Sequence, residues 1–185
     1  MKESIEKYVP FNEQEEKDKE LFLKYLNEFD NILTRDNEYA HFCSSGFVVN
    51  KERTKVLMIY HKIYDSWGWT GGHSDGEDDG LYTALREVTE ETGVSNLKPV
   101  KNEIYAIDSL PVFGHFKRGK YVPAHTHLSI CYLIEANEEE PIKIKEDENS
   151  GVEWIDIDKV VSSSSENHMK YVYQKIIDKM RKNND

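Results

Sequence analysis

An α/β (α+β) fold is what this chain of 185 residues predicts. Two observations carry the expectation. Apolar runs with a period of two and apolar stripes with a helical period both occur, and they are interleaved along the chain. Glycine and polar clusters fall between them rather than inside them. The length fits one domain with a terminal extension. No internal repeat and no Pro/Gly/Ser linker divides it. Residues 1–39 read as an N-terminal helical extension and residues 40–185 as the domain.

The elements follow in order. Within residues 14–29, Phe22, Tyr25, Leu26 and Phe29 fall at i, i+3, i+4 and i+7. That is the stripe of one amphipathic helix lying across the domain or a partner subunit, with a flexible solvated arm as the competing reading. The second option makes a homodimer an expectation. Residues 42–49 and 54–60 read as strands joined by the polar turn Asn50-Lys51-Glu52-Arg53. Residues 64–70 carry Trp67 and Trp69 around Gly68, and Gly71 with Gly72 are expected to break that run. A Ser/Asp/Gly loop leads to a helix over 81–92, closed by Gly93. Strands return at 104–110 and 125–134. In the latter, Leu128, Ile130, Tyr132 and Ile134 share one face, and His125, His127, Ser129 and Cys131 the other. Short strands are expected at 142–144 and, at a sheet edge, 151–155. Residues 170–180 close the chain as a helix with Tyr171, Tyr173, Ile176, Ile177 and Met180 as its apolar positions.

Composition excludes several classes. Hydrophobic residues at 38% and charged residues at 32% suit a packed soluble core. No window approaches the 18 or so uninterrupted apolar residues of a membrane span. The N-terminus is polar, without the apolar region of a signal peptide. A net charge of −11 argues against binding a nucleic-acid polymer, which demands a basic face. It leaves room for a small phosphate ligand held through divalent cations. Cys43 and Cys131 stand far apart in strand-like surroundings, outside any metal-ligand spacing, and read as reduced core thiols of a cytoplasmic protein.

The chemistry concentrates in residues 72–94. On a helix over 81–92, Leu81, Ala84, Leu85 and Val88 form a core-facing stripe. Glu87, Glu90 and Glu91 fall beside it within an arc of about 100°. Like charges at this spacing destabilise a bare helix by a few tenths of a kcal/mol per pair, and a divalent cation reverses the sign. Magnesium suits oxygen ligands and shares its remaining positions with waters and substrate phosphates. Arg86, four residues before Glu90, can hold the carboxylates in place. Asp75, Glu77, Asp79 and Gly80 mimic the start of a calcium-binding EF-hand loop, but its twelfth position, a glutamate in that motif, is Arg86 here. The calcium reading fails.

The same segment resembles the signature of the Nudix hydrolase superfamily, G-x5-E-x7-R-E-U-x-E-E-x-G-U, where U is bulky and aliphatic. Gly72, Arg86, Glu87, Val88, Glu90, Glu91, Gly93 and Val94 match it, and Asp78 stands where the pattern has Glu. The resemblance implies an α/β/α sandwich with a mixed sheet. It implies Mg2+-dependent (or Mn2+-dependent) hydrolysis of a small diphosphate substrate, a nucleoside diphosphate linked to another moiety. Glu87, Glu90 and Glu91 would be metal ligands with the Gly72 carbonyl beside them, and Arg86 their support. Glu148, six residues before Trp154, sits where some members carry a catalytic glutamate; a solvated loop acid is the competing reading. Asp78 is one methylene shorter than the motif residue that braces loop and arginine, and Glu77 is its potential substitute.

Further candidates surround this segment. His73 is expected to contact the metal site or a substrate phosphate, or else to cap its loop. His125 and His127 share a strand face at a spacing that suits a transition metal. Without a visible third ligand they read as pocket or core histidines, and His127 is the candidate for substrate contact. Trp69 is the candidate for stacking on the substrate, against a core role. Lys117, Arg118 and Lys120 form the densest basic cluster, and Arg118 is the candidate for a distal phosphate, against a solvated loop. Two other functions stay open: a non-catalytic, nucleotide-sensing Nudix-fold module, motivated by Asp78, and an isopentenyl-diphosphate isomerase, disfavoured by the nearly intact signature.

Overall fold

The computed structural model describes residues 1–117 and 119–185. Strand β1 (Ala40–Val49) is buried along its whole length, the pattern of a central strand covered on both faces. Its even positions Phe42 and Val48 face one apolar cluster, and Phe47 and Val49 face another. One edge of β1 pairs in parallel with β9 (His125–Glu135), from Ala40↔Thr126 to Val49↔Glu135. The other edge is shared by β2 (Lys55–His61) at Val48 and Val49, and by β4 (Thr70–His73) from Cys43↔His73 to Gly46↔Thr70. β10 (Asn149–Asp156) and β3 (Ser66–Gly68) pair with β2, while β5 (Lys98–Pro99) and β6 (Ala106–Val112) pair with β9. The result is a mixed sheet, with β10 at one end of its strand order.

Helices cover both faces. On one side α1 (Lys2–Lys7) contributes Ile5, α2 (Glu13–Glu28) contributes Phe22, and α3 (Gly80–Thr92) contributes Ala84 and Val88, against Phe42, Leu128 and Ile130. Phe22 and Phe42 meet edge-on with ring centroids 5.4 Å apart, a geometry favoured by the ring quadrupoles. On the other side α4 (Ile157–Ser163) and α5 (Asn167–Asn183) bring Val160, Val172, Tyr173 and Ile176 onto Phe47, Met58 and Leu133. The chain is therefore an α/β/α sandwich. Helix α2 covers its own chain's sheet, and its Asn12 cap accepts a hydrogen bond from the Glu15 N–H.

Three expectations change. Gly71 and Gly72 do not break the strand: they lie inside β4 and pair with Ser45 and Ser44. A Cβ at Gly71 would fall 2.9 Å from the Ser44 carbonyl oxygen, so only glycine lets β4 approach β1 this closely. The run over 64–70 is accordingly split between β3 and β4. Residues 142–144 form no strand, because Lys143 donates its N–H to the Thr92 carbonyl at 2.7 Å, beyond the end of α3. The hairpin of β7 (His115–Lys117) and β8 (Lys120–Val122) was not legible in the sequence.

Candidate active site

Helix α3 begins at the Asp79 cap, whose side chain accepts from the Tyr82 N–H, and ends at Gly93 with φ 77°. Its core stripe holds the helix flat on β1 and β4, which fixes the height of the three glutamates. Glu91 lies deepest, at 3% exposure, and its Oε2 accepts the Gly71 N–H at 2.9 Å. Burial pushes its carboxyl up to about 8, and the charges of Glu87 and Glu148 add to this against the Gly71 hydrogen bond and Lys145. Glu87 is mostly covered and accepts from Arg86 at 2.6 Å, while Arg86 Nε lies 3.8 Å from Glu90. The arginine thus clasps two of the three carboxylates.

A second cation completes the site. Lys145 Nζ lies 2.9 Å from Glu148 and 3.6 Å from Glu90. Burial opposes its charge, but the Glu148 hydrogen bond and the Glu148, Glu90 and Glu87 charges hold its pKa above the ordinary value. Glu148 is therefore drawn to the glutamates of α3, through a lysine the sequence reading did not single out. Asn149, at the start of β10, donates to the Glu91 carbonyl at 3.0 Å and ties this turn to the end of α3.

Gly72 faces Glu87. A Cβ there would stand 2.6 Å from both carboxylate oxygens. Gly72→Ala is expected to displace the Glu87 carboxylate at a cost of about 1–3 kcal/mol. Affinity for a divalent cation at Glu87 should then fall about 10–100-fold. Divalent-cation binding that is unchanged in the variant, measured by calorimetric titration, would show that Glu87 does not act beside Gly72.

Asp78 does not brace the arginine. Its carboxylate takes the α-ammonium of Met1 at 2.7 Å, and Glu77 accepts the Asp79 N–H. Arg86 keeps its clasp on Glu87 and Glu90 without either. His73 and His127 come together on the sheet face away from α3, with ring centroids 5.0 Å apart, joined there by His41 and His125. Trp69 lies edge-on to Tyr173 at 5.7 Å, half-buried at the margin of the α5-side cluster. Arg118 lies outside the described residues.

The donor set fits hard divalent cations. Glu87, Glu90, Glu91 and Glu148 supply carboxylate oxygens against the two cations Arg86 and Lys145, in a partly buried setting where this excess of negative charge is unfavourable. Residues 41–176 match the NUDIX domain family. The chain belongs to the Nudix family. Among relatives, this Nudix chain is 48% identical over 50 residues to the CMP-5'-(N-acetyl-N-hydroxy-3-aminopropyl)phosphonate hydrolase of Streptomyces rubellomurinus, a match covering 25% of this chain and 24% of that protein. It is 45% identical over 53 residues to nucleoside diphosphate-linked moiety X motif 6 of Xenopus laevis, covering 27% and 24%. The match thus spans about a quarter of each relative's length. Among solved structures, the MutT protein of Methanosarcina mazei superimposes with a TM-score of 0.57 at 15% identity, over 80% of this chain and 99% of that one. That likeness bears on the fold.

Proposed function

We propose that this Nudix protein is a Mg2+-dependent pyrophosphohydrolase that splits a small diphosphate compound, a nucleoside diphosphate linked to another moiety. The observation that carries it is the burial of the Glu91 carboxyl, 3% exposed, where the charges of Glu87 and Glu148 also oppose its ionisation. A group so placed is stabilised in its charged form by a cation. Bound there by Glu87, Glu90, Glu91 and the Gly72 carbonyl, Mg2+ or Mn2+ would supply charge neutralisation for the diphosphate and a lowered pKa for an attacking water.

The protein's own groups do the remaining work. Arg86 holds Glu87 and Glu90 in register, and the Gly71 N–H fixes the Glu91 carboxylate. Glu148, held by Lys145, is the base that accepts the proton of the attacking water. The two relatives bear names of hydrolysis at, or linkage to, a nucleotide, which favours a nucleoside on one side of the diphosphate. No helix among the described residues is long and apolar enough to cross a membrane. The two free, buried cysteines suit the reducing conditions of a cytoplasmic enzyme.

The non-catalytic alternative rests on Asp78 and on the lack of a recognisable substrate signature; the clasp of Arg86 on Glu87 and Glu90, made without Asp78, favours the catalytic reading on the first count. Purified protein incubated with Mg2+ and a panel of nucleoside diphosphate-linked compounds should release a nucleoside monophosphate and a phosphorylated second product. Ligand-induced thermal stabilisation without turnover across that panel would overturn the proposal in favour of a sensing module.

A further inference from the structure

Four metal-ligating side chains meet on the sheet face opposite the acidic helix. Strand alternation puts His41 and Cys43 on one face of β1. The parallel register opposes His41 to His127 on β9, and the antiparallel register opposes Cys43 to His73 on β4. Directly opposed residues share a face, so three strands aim His41, Cys43, His73 and His127 at one point. One ligand atom from each lies within 4.8 Å of every other. The Cβ direction at Gly72 points to Glu87, so its neighbour His73 points to the other side of β4. This cluster and the glutamate site are therefore back to back, with Gly72 and His73 between them.

His41 shows that the cluster is built for a ligand. The residue is 4% exposed. Its Nδ1 lies 3.1 Å from the Asn37 carbonyl, which can only accept, so Nδ1 carries the proton. Its buried Nε2 is then a lone pair with no hydrogen-bond partner among the described residues, on a ring that packs 5.0 Å from His73 and 5.1 Å from His127. Leaving a buried acceptor unsatisfied is unfavourable. An imidazole whose Nδ1–H is held by a carbonyl and whose buried Nε2 keeps its lone pair has the tautomer of a metal ligand. His125 stands outside the four. Its Nδ1 pairs with the Pro123 carbonyl and its Nε2 lies 3.2 Å from His127 Nε2, so it buttresses the His127 ring.

We propose that His41, Cys43, His73 and His127 bind a zinc ion in a site separate from the Mg2+ site of α3. Three imidazoles and a thiolate are nitrogen and sulfur donors, which select zinc over magnesium or calcium. Zinc bonds of about 2.0–2.3 Å in a tetrahedron set ligand edges of about 3.3–3.7 Å. The four side chains need to close by about 1 Å from their present spacing. On binding, Cys43 gives its proton to solvent as the zinc–sulfur bond forms. His73 and His127 are only half-buried, which leaves a path for the ion. The ion would tie β4 to β1 and β9 and so hold Gly71 and Gly72 against Glu91 and Glu87. It positions the glutamate site without touching substrate.

The test is metal content after dialysis against Mg2+ buffer. Wild-type protein should retain a stoichiometric equivalent of zinc. Loss of even an outer-shell partner typically weakens a site about 10–100-fold, so His41→Ala and Cys43→Ser should each weaken zinc binding by at least about 100-fold. Glu91→Gln should retain it, although it loses hydrolysis; the two sites can thus fail independently. Should the histidine and cysteine variants misfold, chelator-stripped wild-type protein titrated with cobalt decides the matter. A thiolate-to-cobalt charge-transfer band and a raised melting temperature are expected. Substoichiometric zinc in wild-type protein, a cobalt spectrum without the thiolate band, or zinc lost with Glu91→Gln would each overturn the proposal.

Discussion

Glu91→Gln is expected to abolish Mg2+-dependent hydrolysis and, in metal-free protein at pH 8, to raise the melting temperature. The first half follows from the site. Removing one anionic oxygen ligand from the proposed metal site would forfeit several kcal/mol of transition-state charge stabilisation, and about 3–4 kcal/mol corresponds to a fall of 10²–10³-fold in rate. The second half follows from linkage. The folded-state pKa of Glu91 is pushed up from 4.5 to about 8, mainly by burial. The folded chain therefore binds a proton that the unfolded chain releases between those values. Stability is fully present below 4.5 and is lost as pH rises through 8, by up to about 4–5 kcal/mol for this group. Glutamine keeps an oxygen for the Gly71 N–H and never ionises. At pH 8 it should recover part of the loss, a gain of about 5–10 °C for a chain of this size. At pH 5 the two proteins should melt together, and saturating Mg2+ should close the gap by stabilising the wild type alone. A variant less stable than wild type at pH 8 without metal would mean that Glu91 is not an anion under strain. Retained turnover would remove it from the metal ligands.

How much of this site is legible in the sequence depends on how local each contact is. The neighbourhood of Glu87, Glu90 and Glu91 follows from helical spacing alone, and the structure keeps it because α3 is a regular, well-capped helix. The two buried faces of β9 are likewise written in its alternation: Leu128, Ile130 and Ile134 lie in one cluster, Cys131 and Leu133 in the other. Long-range contacts leave no such trace. Lys145 joins Glu90 to Glu148 through space, and no periodicity relates the three. The histidine cluster is the clearest case. His125 and His127 are visible as a pair, but His41 and Cys43 join them only once β1 is known to run parallel to β9 and antiparallel to β4. Cys43, read as a reduced core thiol, is free and buried, and only that register brings it beside the histidines. Asp78 shows the converse: a motif position defined by spacing takes a different partner, the Met1 ammonium, which no local rule connects to it.

The second large effect lies away from the site, where α2, β6 and α5 meet. Lys175, buried on α5, places its Nζ 3.0 Å from Glu15 on α2 and 2.7 Å from Asp108 on β6, and all three side chains are at most 4% exposed. Its ammonium also donates to the Ile107 carbonyl at 3.1 Å. One lysine thus neutralises two buried carboxylates and ties the N-terminal helices to the sheet. Lys175→Met keeps the bulk and removes the charge. Breaking a buried ion pair on one side costs about 3–5 kcal/mol, because the remaining charge is left uncompensated, and here two are left. The expected fall in melting temperature is about 6–20 °C at 2–4 °C per kcal/mol for this size. The loss should depend on pH in a stated direction. Even with Lys175 present, burial pushes the Asp108 carboxyl up to about 7, and without the lysine it rises further. A folded-state pKa above the unfolded 3.8 means stability that is lost as pH rises through the folded value. The deficit of Lys175→Met should therefore be smaller near pH 5, where Asp108 takes up a proton and only the lost Glu15 pairing remains, and largest at pH 8. Adding Asp108→Asn to Lys175→Met removes one of the two stranded charges and should recover part of the loss at pH 8 but little at pH 5. Equal deficits at the two pH values, measured by chemical denaturation, would show that the lysine acts by packing rather than by charge.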